Sequence, residues 1–121
     1  MTFICYPKCT TCQKAQKWLY ERNIPFEFRD IKQSNPNYEE LRAWFSASEL
    51  PIKRFFNTSG LVYKSLNLKD KLPTMSEEEC LQLLATDGML LKRPILVGSG
   101  GVVLVGFKED EWERNLTKDA D

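Results

Sequence analysis

The chain has 121 residues, with 17 basic and 17 acidic side chains, four cysteines and no histidine. This balance gives no overall field to attract nucleic acid or an anionic membrane, so direct binding to either is disfavoured. The absence of histidine removes histidine-based acid–base catalysis, serine–histidine and cysteine–histidine dyads, and the commonest zinc ligand.

The length predicts a single domain, residues 1–121. No apolar run approaches the roughly 20 residues of a membrane span, and the N-terminus carries no signal-peptide pattern. We therefore expect a cytoplasmic protein. In such a reducing compartment a close cysteine pair is more often catalytic, redox-sensing or metal-binding than structural.

The first two predicted elements are a strand buried on both faces, residues 3–6, and a helix, residues 10–22. Between them begins a C-x-x-C pair, Cys9 and Cys12. Backbone N–H groups and the positive end of the dipole at a helix start favour the thiolate of a cysteine there, which makes Cys9 the candidate nucleophile. Cys12 lies one helical turn further on the same face. It is the candidate resolving thiol, and a Cys9–Cys12 disulfide is geometrically plausible.

Downstream, turn residues and periodicity predict a helical insertion at about residues 37–90 between the second and third strands. Ser76 and Glu79 have the spacing of a capping box. The order is β-α-β, insertion, β-β-α. The predicted elements after the first helix are strands at 26–31, 91–97 and 102–105 and helices at 38–45, 76–86 and 108–116.

The remaining cysteines, Cys5 in the first strand and Cys80 in the insertion, are expected to be buried core thiols, because buried free cysteine is usually inert. A zinc site is disfavoured, since one C-x-x-C without histidine or a second pair supplies only two of four ligands. A purely structural role for the C-x-x-C pair is a less favoured alternative to a redox role.

Three motifs give the chain a specific resemblance: CTTCQKA at residues 9–15, KRPI at 92–95 and VGFKEDE at 105–111. Together they resemble the arsenate reductase (ArsC) and Spx family. The resemblance implies an α/β fold of the thioredoxin type, similar to glutaredoxin, with a four-stranded mixed sheet, helices on both faces and a helical insertion between strands 2 and 3.

The resemblance also implies site roles. Cys9 matches the family's reactive cysteine, and Arg93 matches an arginine that can steady a thiolate and offer a bidentate fork to an oxyanion. A surface ion pair is the alternative for Arg93. Pro94 matches a proline held in cis beside the thiol. The expected catalytic residues are Cys9, Cys12 and Arg93, and the expected substrate contacts are Lys8, Thr10, Thr11, Arg93 and Pro94.

Two departures weaken an arsenate assignment. Arsenate reductases of this fold carry arginines where this chain has Asn57 and Gly106, so a tetrahedral dianion meets fewer charges. Lys53 and Arg54 are near enough in sequence to compensate. The expected enzyme is therefore a thiol-disulfide oxidoreductase acting on a small-molecule or protein disulfide, or on arsenate, with no bound cofactor or metal and with glutathione or thioredoxin as reductant.

The alternative is a redox-sensing regulator similar to Spx, which binds the RNA polymerase α subunit. Segment 46–50 lacks the glycine that Spx carries in its polymerase-contacting region. The C-terminal tail, ending in Asp119 and Asp121, is also acidic instead of basic. Polymerase binding is accordingly the second hypothesis.

Overall fold

The computed structural model describes residues 1–116, so the end of the acidic tail lies outside the described residues. The strands are β1 (Thr2–Cys5), β2 (Glu27–Asp30), β3 (Ile95–Val97) and β4 (Val103–Val105). The helices are α1 (Thr10–Glu21), α2 (Tyr38–Ser48), α3 (Leu61–Ser65), α4 (Leu68–Lys71), α5 (Glu77–Leu84) and α6 (Glu109–Leu116). Within residues 1–116, no helix is long and apolar enough to cross a membrane.

The strands form one mixed sheet in the order β2-β1-β3-β4. β1 pairs in parallel with β2 and antiparallel with β3, and β3 pairs antiparallel with β4. Gly100 and Gly101, in the turn between β3 and β4, have φ of 70° and 79°, a left-handed conformation that glycine adopts without steric cost. The predicted four-stranded mixed sheet with flanking helices is confirmed.

Alternation along the strands divides the core into two clusters, because successive side chains point to opposite faces of a sheet. In β1, Phe3 and Cys5 pack with Ala15 and Leu19 of α1 and with Trp112 of α6. Ile4, between them, joins the cluster formed with the insertion, which contains residues of α2, α3, α4 and α5. The sheet therefore separates a face covered by α1 and α6 from a face covered by the insertion.

Capping interactions begin two helices of the insertion. The Ser76 side chain accepts a hydrogen bond from Glu79 N–H and the Glu79 carboxylate accepts one from Ser76 N–H, so the predicted capping box is confirmed. Asn37 and Glu40 form a second box at the start of α2. Each box satisfies N–H groups that have no partner inside the helix.

Two strand predictions need correction. The predicted strand at 91–97 begins only at Ile95, because Leu91 forms an isolated bridge with Phe56 and Lys92 N–H donates to Phe55 O, both in the insertion. The predicted strand at 26–31 is also shorter in the structure, Glu27–Asp30, and its Phe28 side chain is 42% exposed. β2 lies at an edge of the sheet, where its side chains are covered less than those of the central strands.

Candidate active site

The end of β1 and the start of α1 position Cys9. Cys9 is the N-cap of α1, with an extended backbone (φ −84°, ψ 124°). Its N–H donates to Tyr6 O at 3.0 Å and its carbonyl accepts from Gln13 N–H at 3.1 Å. Its thiol makes no capping hydrogen bond and is half-buried. The sulfur therefore sits at a helix N-terminus, where the dipole favours negative charge.

Cys9 lines a cavity of about 410 Å³. Thr11 of α1, Asn57 and segment 59–61 of the insertion, and Met89, Lys92 and Arg93 before β3 complete the wall. No acidic side chain is among these lining residues. The cavity thus combines a free thiol with two cationic side chains and suits an electrophile that carries negative charge.

Arg93 is half-buried in this wall. Its Nη1 donates to Met89 Sδ at 3.4 Å, and its Cζ lies 5.7 Å from the centroid of the Tyr6 ring. The ion pairs found within residues 1–116 do not include Arg93, so the alternative of a surface ion pair is not observed there. Met89 and Tyr6 hold the guanidinium without neutralising it. The Arg93–Pro94 peptide bond is cis, as the resemblance implied.

The cavity brings together Cys9, Thr11 and Arg93 from the predicted set. Lys8, Thr10 and Pro94 are not among its lining residues: the first two are exposed and Pro94 is buried. The cavity also includes residues for which no role was predicted, Met89, Lys92 and segment 59–61. Lys92 adjoins Arg93 in the KRPI motif, and this position could have been used to predict that Lys92 also lines the site. Met89 and segment 59–61 reach the cavity only through the packing of distant elements, so no local sequence pattern predicts that they line it.

The two positions that lack an arginine differ in the structure. Asn57 lines the cavity. Gly106 does not; it is buried with φ of 78°, its N–H donates to Pro94 O at 2.8 Å, and an added Cβ would lie 3.4 Å from Lys92 Cε. A side chain at Gly106 would be strained in this left-handed conformation. Lys53 and Arg54 do not line the Cys9 cavity, so the additional cation in its wall is Lys92.

The cysteine pairing differs from the predicted one. Cys12 forms a disulfide with Cys5, with the Cα atoms 5.9 Å apart, and Cys9 is free. Because Cys5 follows Phe3 on the α1 face of β1, its side chain meets Cys12 in the first turn of α1. Cys5 is therefore buried as predicted, but in this structure it is not a free core thiol. Tyr6 N–H also donates to Cys12 Sγ, at 3.3 Å.

Cys80 is the other free cysteine among residues 1–116. It is buried on α5, as predicted, in the cluster on the insertion face. Burial raises the pKa of the Cys80 thiol, and the neighbouring carboxylates of Glu79 and Glu77 raise it further. The raised pKa disfavours the thiolate form of Cys80, and Cys80 is not among the residues that line the Cys9 cavity.

Residues 5–115 match the ArsC family model. Two relatives are the uncharacterized protein YusI of Bacillus subtilis, 54% identical over 95% of this chain and 97% of its own length, and the global transcriptional regulator Spx of Enterococcus faecalis, 37% identical over 98% and 88%. The crystal structure of a Bacteroides fragilis protein described as ArsC family related superposes with a TM-score of 0.91. It is 58% identical and covers 93% of this chain and 94% of that one.

Proposed function

The chain belongs to the ArsC family, and on that premise we propose that it is a thiol-disulfide oxidoreductase with Cys9 as its nucleophile. The observation that carries the proposal is the free Cys9 thiol at the N-terminus of α1, in a cavity whose wall includes the Arg93 guanidinium and no carboxylate. A thiolate there attacks one sulfur of a substrate disulfide, the substrate S–S bond breaks, the other sulfur leaves as a thiol, and a mixed disulfide remains on Cys9. Cys12 then attacks Cys9 Sγ and releases the second half of the substrate as a thiol.

Charge in the cavity indicates the preferred substrate. Arg93 and Lys92 line it and no carboxylate does, so a disulfide with carboxylates near the sulfur, such as oxidised glutathione or a glutathionylated peptide, is attracted. Arsenate is a weaker candidate, because Asn57 supplies an amide in the wall instead of a charge. Reduced glutathione or thioredoxin, as external thiols, would return the enzyme to its dithiol form.

A turnover panel tests this proposal. Wild type, Cys9→Ser and Cys80→Ser are compared on oxidised glutathione with thioredoxin as reductant, and on a glutathionylated peptide and arsenate with glutathione or thioredoxin as reductant. We expect Cys9→Ser to lower kcat/KM by about 1,000-fold or more, because serine is a far weaker nucleophile. Cys80→Ser is the matched control and stays within about threefold of wild type, since Cys80 lies outside the cavity. Unchanged activity in Cys9→Ser would reject Cys9 as nucleophile.

A second function, regulation through the α subunit of RNA polymerase, is favoured by the similarity to Spx of Enterococcus faecalis, which is 37% identical over 98% of this chain. The test is a pull-down in which the reduced and the oxidised protein are each offered the isolated C-terminal domain of the polymerase α subunit. Binding in one redox state supports a regulator. Absence of binding in both states removes this candidate and leaves the enzyme proposal intact.

A further inference from the structure

We propose that Cys5 is a third member of the redox site and that Cys12 exchanges its disulfide partner between Cys9 and Cys5. This inference rests on the proposed function and extends it to a residue outside the C-x-x-C pair. Cys5 and Cys12 form the disulfide in the structure, with Cα atoms 5.9 Å apart. That separation is within the usual range for a disulfide, so Cys12 can bond to Cys5 without any movement of the backbone.

Cys9 connects this buried pair to the cavity. It is half-buried and packs against the cluster that contains Cys5 and Cys12, and it also lines the cavity. Cys5 and Cys12 are 0% and 2% exposed, so an external disulfide or thiol cannot reach either sulfur directly. Any exchange of oxidising equivalents between the buried pair and the solvent must therefore pass through Cys9.

The relay balances without a further oxidant. A substrate disulfide RSSR first oxidises Cys9 and Cys12 to a Cys9–Cys12 disulfide and leaves as two thiols. The Cys5 thiolate then attacks Cys12 Sγ, the Cys5–Cys12 bond forms as the Cys9–Cys12 bond breaks, and Cys9 leaves as a thiolate. Cys5 loses one proton when it attacks and Cys9 gains one after it leaves, so protons and charge balance. The protein remains oxidised by two electrons throughout, and only the position of the disulfide changes.

Two features of the site favour this exchange. Cys9 departs from a helix N-terminus, a position at which negative charge is stabilised. Cys12 is the central sulfur in both pairings, and the Tyr6 N–H donates to Cys12 Sγ at 3.3 Å, which helps to hold that sulfur in position. The final oxidised form keeps its nucleophile free and its disulfide buried. Its reduction then follows the same path in reverse, beginning with attack of Cys9 on Cys12.

Tryptic mapping distinguishes the two pairings, because the chain can be cleaved after Lys8 and Lys14. Cys5 falls in peptide 1–8, whereas Cys9 and Cys12 share peptide 9–14. Fully reduced protein is treated with one equivalent of oxidised glutathione, quenched in acid, alkylated under denaturing conditions and digested. We expect peptides 1–8 and 9–14 to be cross-linked, with Cys9 alkylated. A disulfide within peptide 9–14 with Cys5 alkylated, or a cross-link through Cys9, would overturn the proposal.

The rate of cross-linking separates a relay from a merely structural disulfide. In Cys9→Ser we expect the cross-link to form at least about tenfold more slowly than in wild type, because oxidised glutathione lacks direct access to the buried sulfurs. Cys80→Ser is the control and should match wild type. Equal rates in wild type and Cys9→Ser would show that Cys5 and Cys12 are oxidised without Cys9 and would reject the relay.

The outcomes for the relay and for the proposed function are distinguishable. Wild type that turns over oxidised glutathione but ends with the disulfide inside peptide 9–14 retains the proposed function and loses the relay. Wild type without turnover, matched by Cys9→Ser, loses the proposed function. Cys5→Ala verifies the assignment of the peptides: it cannot form the cross-link, so its disulfide must appear within peptide 9–14.

Discussion

The face of the sheet covered by α1 and α6 and the face covered by the insertion both bury cysteine, in different surroundings. On the first face Cys5 and Cys12 lie in a buried cluster. Cys9 packs against this cluster and also lines the cavity. On the second face, among residues 1–116, Cys80 is buried in a cluster that contains no other cysteine. The proposed relay implies that burial alone does not make a cysteine inert. In that relay, Cys5 and Cys12 take part in redox chemistry because the Cys9 thiol connects them to the cavity.

The largest predicted change is a loss of stability when the aromatic packing on the face covered by α1 and α6 is disrupted. Trp112 is fully buried, makes edge contacts with Phe3, Trp18 and Phe107, and donates its Nε1–H to Gly106 O at 3.1 Å. We expect Trp112→Ala to lower the free energy of unfolding by about 3–5 kcal/mol, because it leaves a cavity beside the cysteine cluster. Urea denaturation measures this loss. A loss below about 1 kcal/mol would contradict the view that α6 is essential to this face.

The second prediction concerns the rates at which the two free thiols, Cys9 and Cys80, are alkylated. Because burial raises the pKa of Cys80, less of it is thiolate at a given pH, and its rate of alkylation rises as the pH increases. In the folded protein at about pH 8 we expect iodoacetamide to modify Cys9 at least about 100-fold faster than Cys80. Mass spectrometry of timed samples measures both rates. Comparable rates would remove the contrast between the two faces.

The smallest effect concerns an ion pair that ties β2 to the insertion. Arg29 donates to both carboxylate oxygens of Glu40, at 2.6 and 2.8 Å, and Arg29 is the main cause of the lowered pKa of Glu40. We expect Glu40→Gln to cost about 1 kcal/mol of unfolding free energy near neutral pH. Urea denaturation at several pH values measures this difference. Glu78→Gln is the matched control, because the pair that Glu78 forms with Arg42 is more exposed and should contribute less.

The sign of the pH dependence follows from the lowered pKa of Glu40. The stabilisation by the carboxylate is present above the pKa of an unfolded glutamate, about 4.3, and is lost as the pH falls through the lower pKa of the folded state. The difference between wild type and Glu40→Gln should therefore shrink in acid. A difference that grows as the pH falls would contradict the assignment.

Local patterns were sufficient for much of the fold. The Ser76–Glu79 capping box, the start of α1 at Thr10 and the order of the elements along the chain follow from the spacing of neighbouring residues. A predicted strand boundary was wrong where the backbone forms hydrogen bonds with a distant segment of the chain. Lys92 bonds to Phe55 in the insertion, so β3 begins only at Ile95. No pattern within the strand itself could have indicated that bond.

That a strand ends before Cys9 and a helix begins there could be predicted from the sequence, because each boundary depends on residues within one or two turns. Which sulfur Cys12 bonds, and which side chains line the cavity with Cys9, became clear only from the three-dimensional fold. Alternation along β1 places Cys5 on the face of α1, and packing of the insertion brings Met89 and Asn57 to the cavity. Side-chain contacts across a fold depend on how its elements pack, and that information is distributed over the whole chain.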